Sequence, residues 1–325
     1  MEFGLALPTY SWSGLTAEEA NQIGEIAVLA EQLGFASLWT AEHFVETPGL
    51  YGTSWLSPLP SLAFAAALTH EIKIGTAVLQ APLRDPVILA KEIATLQVLS
   101  HGRFQFGVGT GWDKHEFESI GIALGSRGRR TDQIIEAVRL LLTEADASYH
   151  SEFYDFDKVT IEPRPGMPPL WIAGGGKVKT GLSPDKTSIA EAVLNRILRA
   201  DAWIARAAGN DAMIAGDIIA IRRHLESNGR DPQSLHYSHF NFFHLTDATD
   251  RAGALALQRP KIERVMGTHR SFEHLQQCYL LGTTEEVVER ILHLRSLGLD
   301  SMIVAPLDHD SEQVRRFAAD VAPRI

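Results

Sequence analysis

Strand-like and helix-like segments alternate along the whole chain at roughly 35–40-residue intervals, and that rhythm leaves few folds open. Apolar runs within residues 3–7, 37–40, 72–79, 103–112, 168–173, 201–204, 237–245 and 301–305 read as eight strands. Helix signals fall between them. Thr16-Ala17-Glu18-Glu19 is a capping box that opens a helix to about Leu33, with Gly34 past its end. Asp85-Pro86 opens another to Leu99, and Ser183-Pro184 a third to Leu198. Residues 149–162 alternate aromatic and polar side chains and read as a small hairpin. Eight strands, each followed by helix, are the pattern of a single (β/α)8 barrel over residues 1–325. A doubly wound sheet needs a glycine-rich turn after its first strand, where Pro8-Thr9-Tyr10-Ser11 stands here.

The 40 acidic residues outnumber 30 basic ones, a formal net charge of −10 that argues against nucleic acid as the main partner. Cys278 is the one cysteine, so neither an internal disulfide nor a cysteine metal cluster is open to the chain. No metal site is expected. The first residues lack a charged leader segment, and no apolar run reaches membrane-spanning length. A cytoplasmic protein without a membrane partner is the expectation.

The most informative stretch runs from Arg103 to Trp112, where Gly107, Gly109 and Gly111 stand at alternate positions. Glycine weakens a strand, so a run of it marks close approach of a ligand or of another backbone. Asp113 then caps a helix with Glu116 three positions on, a capping-box-like start. Strand, glycines and helix start together form either an anion or ring cradle or a tight turn. The spacing is not that of the dinucleotide fingerprint. Trp12, Phe44, Tyr51, Trp55 and Trp112 cluster at strand ends, as aromatics lining an apolar substrate pocket do, or as packed loops do.

Ala41-Glu42-His43-Phe44, Gly107-Val108-Gly109-Thr110-Gly111-Trp112, Ser148-Tyr149-His150-Ser151-Glu152-Phe153-Tyr154-Asp155-Phe156 and Trp171-Ile172-Ala173-Gly174-Gly175-Gly176 complete a pattern. In motif order and spacing the chain resembles the bacterial luciferase-like superfamily, from residue 3 to about 316. The resemblance implies a TIM barrel that works as a flavin-dependent monooxygenase or a 5-deazaflavin-dependent oxidoreductase. It places His43 beside the reactive face of the flavin, where an imidazole can give and take a proton near neutral pH. Glu42 is then its orienting or charged partner. Gly75-Thr76-Ala77-Val78-Leu79 matches the family's strand bulge, whose cis peptide would fall at Ala77–Val78 and back the flavin ring.

By the same resemblance Gly109, Thr110, Gly111 and Trp112 contact the cofactor's ribityl chain or phosphate. Ala173, Gly174, Gly175 and Gly176 hold the phosphate, with its charge met by backbone N–H groups, Lys177 or Lys179. The luciferases carry an arginine where Thr110 stands, a departure from a true luciferase. Arg127, Arg129 and Arg130 are further candidates for the phosphate, or a solvated face. Residues 177–186 would form a mobile lid over the cofactor.

Three functions follow. One is a two-component monooxygenase that takes reduced FMN from a separate flavin reductase and oxygenates a small apolar or aromatic substrate. Another is a hydride-transfer enzyme using the deazaflavin coenzyme F-420, whose anionic tail would favour Lys177, Lys179 and Lys186. The third is a non-catalytic flavin-binding protein on the same barrel. A homodimer is expected in each case.

Overall fold

The strands that close the barrel owe their burial to sequence: in a parallel sheet covered by helices both faces are dry, so the runs are almost wholly apolar. In the computed structural model, which describes residues 1–47, 49–51, 53–176 and 189–325, they are β1 Glu2–Ala6, β2 Ser37–Thr40, β3 Lys73–Thr76 and β4 Phe104–Gly109. The second half contributes β5 Leu170–Ala173, β6 Ala202–Ala205, β7 His236–Phe243 and β8 Ser301–Pro306. Each pairs in parallel with its neighbours, and Glu2↔Ser301 to Leu5↔Val304 join β1 to β8. The (β/α)8 barrel expected from the sequence is the fold observed.

Helices α1 Ala17–Gln32, α2 Pro58–Leu68, α3 Pro86–Leu99, α4 Lys114–Ser119, α5 Arg127–Thr143 and α6 Glu191–Ile197 follow in order. Then come α7 Asp211–Ser227, α8 Arg251–Met266, α9 Phe272–Cys278, α10 Thr284–Ser296 and α11 Ser311–Arg316. Thr16 and Glu19 close their capping box, and Asp85 accepts from Val87 and Ile88 N–H at 2.9 and 3.2 Å. At the far end of α1, Glu31 receives the backbone N–H groups of His70, Glu71 and Ile72, which ties that helix to the start of β3. One apolar core lies between strands and helices. A second fills the barrel and its upper rim with Trp39, Trp55, Phe240, Phe242 and Ile303.

Two boundaries differ from expectation. The third strand is interrupted after Thr76, where the Ala77–Val78 peptide is cis; Leu79–Gln80 then resumes and pairs with Val108 and Gly109 of β4. The described helix after β5 is Glu191–Ile197, and the expected start at Ser183 lies outside the described residues. Residues 149–162 do form the expected hairpin, as Ala147–His150 against Asp155–Val159.

Arg103 holds the lower end of β4. Its buried guanidinium gives hydrogen bonds of 2.8–3.1 Å to Ser100 O, Thr69 Oγ1, Ile72 O, Ala66 O and Thr69 O. At that same N-terminal end, Trp39, Gln105, Trp171 and His236 line a cavity of about 310 Å³, on the side where barrels carry stability rather than chemistry.

Candidate active site

The chain leaving β2 carries Glu42 and His43 to the C-terminal rim, where barrel enzymes build their sites. Across from it, β4 runs through Thr110, Gly111 and Trp112 into α4. Asp113 caps that helix, accepting from His115 N–H at 2.9 Å, and its other oxygen accepts from the Thr47 hydroxyl. Glu116 does not close a capping box. Fully buried, its carboxylate turns back across the rim. Oε1 accepts the Phe44 N–H at 2.8 Å, while Oε2 lies 3.1 Å from His43 Nδ1 and accepts from Gln80 Nε2 at 2.9 Å. Three donors in a dry place are what a buried carboxylate requires.

The partner of His43 is therefore Glu116, which corrects the role expected of Glu42. The Glu42 carboxylate binds the Arg84 guanidinium through both oxygens and accepts the Gln80 N–H at 2.7 Å. Successive side chains leaving a strand diverge, so neighbours in sequence face different surroundings. With Nδ1–H directed at Glu116, the tautomer that satisfies the carboxylate leaves Nε2 of His43 as a lone-pair acceptor.

Rings surround this imidazole. Their centroids lie 4.6 Å from it for Tyr51, 5.2 Å for Trp55 and 5.8 Å for Trp112. Burial pushes the Tyr51 phenol well above the usual tyrosine range, so it stays protonated. Trp12 stands apart from the His43 contacts: it stacks on His309 at 5.2 Å and lies 3.9 Å under the Arg264 guanidinium. Phe44 enters the site through its backbone N–H.

The glycines of β4 answer first to the chain itself. A Cβ on Gly107 would lie 1.7 Å from Thr76 O, and one on Gly109 2.5 Å from Val78 Cγ2. Gly111 has φ +68°, and its Cβ would meet Gln80 Oε1 at 2.3 Å. Close approach of the interrupted third strand demands them, the backbone alternative left open by the sequence. Thr110 turns its hydroxyl to Gly111 O at 3.3 Å.

After β5 the turn at Ala173, Gly174, Gly175 and Gly176 is partly engaged already. Gly176 N–H donates to Asp217 at 3.0 and 3.2 Å, and Gly174 O accepts from Trp203 Nε1 at 2.8 Å. Asp217 also pairs with Arg206 at 3.4 Å, yet burial dominates both: it raises the carboxyl and lowers the guanidinium. A Cβ on Gly175 would meet both side chains, and Arg206 Nε is buried without a partner among the described residues. Lys177, Lys179, Lys186 and the expected lid at 177–186 lie outside the described residues. Arg129 and Arg130 serve the hairpin instead, through Glu152 at 2.9 Å and the Phe153 ring at 4.3 Å, and Arg127 binds Leu124 O.

His43, Asp113 and Glu116 offer ligand atoms within 4.8 Å of one another, a spacing that could hold a metal ion. Each is engaged in the hydrogen bonds described above, so an ion would have to displace protein donors. Sequence reasoning missed Gln80, Arg84, Arg206 and Asp217. Gln80, a polar residue inside an apolar strand run, was the one local signal.

Among known proteins, the family model for luciferase-like monooxygenases matches residues 1–301. The FMNH2-dependent dimethylsulfone monooxygenase of Pseudomonas fluorescens is 27% identical over 93% of this chain and 86% of its own length. An F-420-dependent glucose-6-phosphate dehydrogenase from Kineococcus radiotolerans is 34% identical, over 48% of this chain and 47% of its own. Among solved structures, the monooxygenase RslO1 from Streptomyces bottropensis superposes with a TM-score of 0.78 at 25% identity, covering 99% of both chains. An F-420-dependent secondary alcohol dehydrogenase superposes equally well, with a TM-score of 0.78, at 16% identity, which speaks for the fold alone.

Proposed function

The chain belongs to the luciferase-like monooxygenase family and is an oxidoreductase, and from that premise we propose a two-component monooxygenase that uses reduced FMN to oxygenate a small apolar or aromatic substrate. The observation that carries this reading is His43, held by the buried Glu116 and ringed by Tyr51, Trp55 and Trp112. An imidazole with one nitrogen anchored to a carboxylate can take or return a proton at the other, here Nε2.

The residues fit a phosphorylated flavin at one point above all. Beside Gly175, Arg206 Nε is a buried donor without an acceptor among the described residues, and a phosphate oxygen would complete it. Gly175 N–H and Lys177 would assist. Ala77, Val78, Gly109, Thr110, Gly111 and Trp112 would lie along the rest of the cofactor. Bound there, the reduced flavin would supply the electrons that oxygen insertion requires.

Hydride transfer with F-420 is the second reading, favoured by the likeness to the glucose-6-phosphate dehydrogenase over about half the chain. We rank it second because the match to the FMNH2-dependent enzyme is broader, over 93% of the chain. A non-catalytic flavin binder has no use for the His43–Glu116 pair. A separate flavin reductase is the partner the first reading calls for. Phe64 and Leu68 on α2 and Ile88, Val98 and Leu99 on α3 are exposed, apolar surface suited to a homodimer. No described helix is long and apolar enough to cross a membrane, in keeping with a cytoplasmic enzyme. Titration of the purified protein with oxidised FMN, reduced FMN and F-420 tests the choice. Tightest binding of reduced FMN is the expected result; preference for F-420 establishes the second reading, and no binding of either ends both.

A further inference from the structure

The connector between α8 and α9 carries His269 and Arg270, and it is pressed onto the loop that carries Tyr51. Gly267, at φ +68°, brings its backbone so close that a Cβ would lie 2.1 Å from Leu50 O. His269 lies against the Leu50 backbone, its ring 6.2 Å from that of Tyr51. Three polar atoms on this wall, Arg270 Nε, Arg270 Nη1 and His269 Nδ1, are buried and without a hydrogen-bond partner among the described residues, and the hydroxyl of the fully buried Tyr279 lies beside the Arg270 guanidinium.

Such vacancies are unusual, since buried polar groups are nearly always matched. Arg103 in this same chain shows the ordinary solution, with five acceptors around its guanidinium. Arg270 has no carboxylate partner among the described residues, and its neighbours bring no negative charge. Tyr51, Tyr279 and Cys278 are held protonated by burial, while His269 and His274 are held neutral by burial and by Arg270 itself. Asp113 and Glu116, which also act on Tyr51, spend their oxygens on Thr47, His115, His43, Phe44 and Gln80. One positive charge therefore stands at the edge of the aromatic chamber, with two buried donors that lack an acceptor among the described residues.

We propose that Arg270, with Tyr279, is the subsite for a carboxylate-class monoanion on the substrate, whose apolar body lies among Tyr51, Trp55 and Trp112. The inference rests on reading the His43 rim as the substrate chamber, and it narrows an apolar substrate to an amphiphilic one. A single guanidinium matches a single negative charge, and the Tyr279 hydroxyl donates a further hydrogen bond to the oxyanion. A phosphate dianion is better served at Arg206, beside the glycine turn after β5.

The test is a binding series on the cofactor-free protein, read by tryptophan fluorescence and calorimetry. The probes are matched pairs: 3-phenylpropanoate and 3-phenylpropanol, 4-phenylbutanoate and 4-phenylbutanol, octanoate and octanol. We expect each carboxylate to bind about 10- to 100-fold tighter than its alcohol, the usual worth of a hydrogen-bonded charge, with an affinity that falls with salt. Arg270→Gln should erase the preference while alcohol binding stays within about twofold. Arg270→Lys should keep part of it, and Tyr279→Phe should reduce it severalfold. Equal affinity within every pair, absence of binding by all six probes, or an unchanged preference in Arg270→Gln overturns the proposal. If Arg270→Gln does not fold, the wild-type preference and its reduction in Tyr279→Phe and Arg270→Lys decide, and an unchanged preference in both overturns the proposal. Because no flavin is present, failure of the flavin titration with an intact carboxylate preference overturns the proposed function alone. Flavin binding without the preference overturns the subsite alone.

Discussion

His43 Nδ1 and Glu116 Oε2 stand 3.1 Å apart, joining the end of the second strand to the helix after the fourth. If this pair acts as one unit, its substitutions will not add. His43→Ala should lower turnover by roughly 10²–10⁴-fold, the span for losing a general acid–base, while cofactor affinity changes much less. Glu116→Gln should lower it about 10–100-fold, because an amide orients the ring less firmly and cannot balance its charge. The double variant should be no slower than His43→Ala alone. Steady-state rates across this double-mutant cycle, with reduced cofactor saturating, check the claim; additive losses would separate the two residues.

Glu42 makes the opposite expectation. Its carboxylate is bound to Arg84 and the Gln80 N–H, not to the imidazole. Glu42→Gln leaves the Arg84 guanidinium half-buried and poorly matched, which should cost about 1–3 kcal/mol of stability. Turnover at a temperature where the variant is folded should stay within about threefold of wild type. Thermal unfolding and rates measured side by side distinguish this from a role beside the flavin, which would cost rate without stability.

The architecture was legible because it is written in long repeats. Eight dry strands at near-regular spacing have one common closure, and capping residues such as Thr16 and Asp85 mark helix starts locally. The cis peptide at Ala77–Val78 was foreseen by resemblance to a family, not from composition or periodicity. The site was legible only in part, since its contacts cross the barrel. Asp113 and Glu116 have the spacing of a capping box, and nothing in that spacing says the second carboxylate will reach His43 instead. Glu42 is adjacent to His43 in sequence, but chain direction at the strand end separates them. Arg270 sits in a polar turn that reads as solvated loop until the packing of Gly267 on Leu50 is seen.

The glycine stretch gives a stability prediction in place of a purely cofactor-based one. Gly109→Ala puts a methyl 2.5 Å from Val78 Cγ2, and overpacking of this kind costs about 1–3 kcal/mol. Val78→Ala opens that space, so adding it to Gly109→Ala should recover most of the loss. A cycle of denaturant midpoints measures it. If the loss remains undiminished in the double variant, the Val78 contact is not why glycine stands at 109.

The last prediction concerns pH and the fully buried His239, which burial brings down to about 4. Its Nε2 lies 2.9 Å from Asn241 Nδ2 and accepts that amide hydrogen, while Nδ1 faces Ala205 O at 3.4 Å. The amide is fixed in turn by Cys278 O and the Leu280 N–H, at 3.0 and 3.1 Å. Protonating Nε2 would set donor against donor in a dry site. In the unfolded chain the same histidine titrates near 6.5, so between about pH 6.5 and 4 the unfolded state binds more protons than the native one. Its stabilising effect is complete above pH 6.5 and is lost as pH falls toward 4, a total of about 3 kcal/mol. His236, His244, His269 and His309 are lowered by burial too and steepen the same slope. Unfolding free energies of wild type and His239→Gln at pH 7.5, 6.0 and 5.0 test the assignment. The variant should be less stable at pH 7.5 and lose less on acidification; parallel pH slopes for the two proteins would remove His239 from the account.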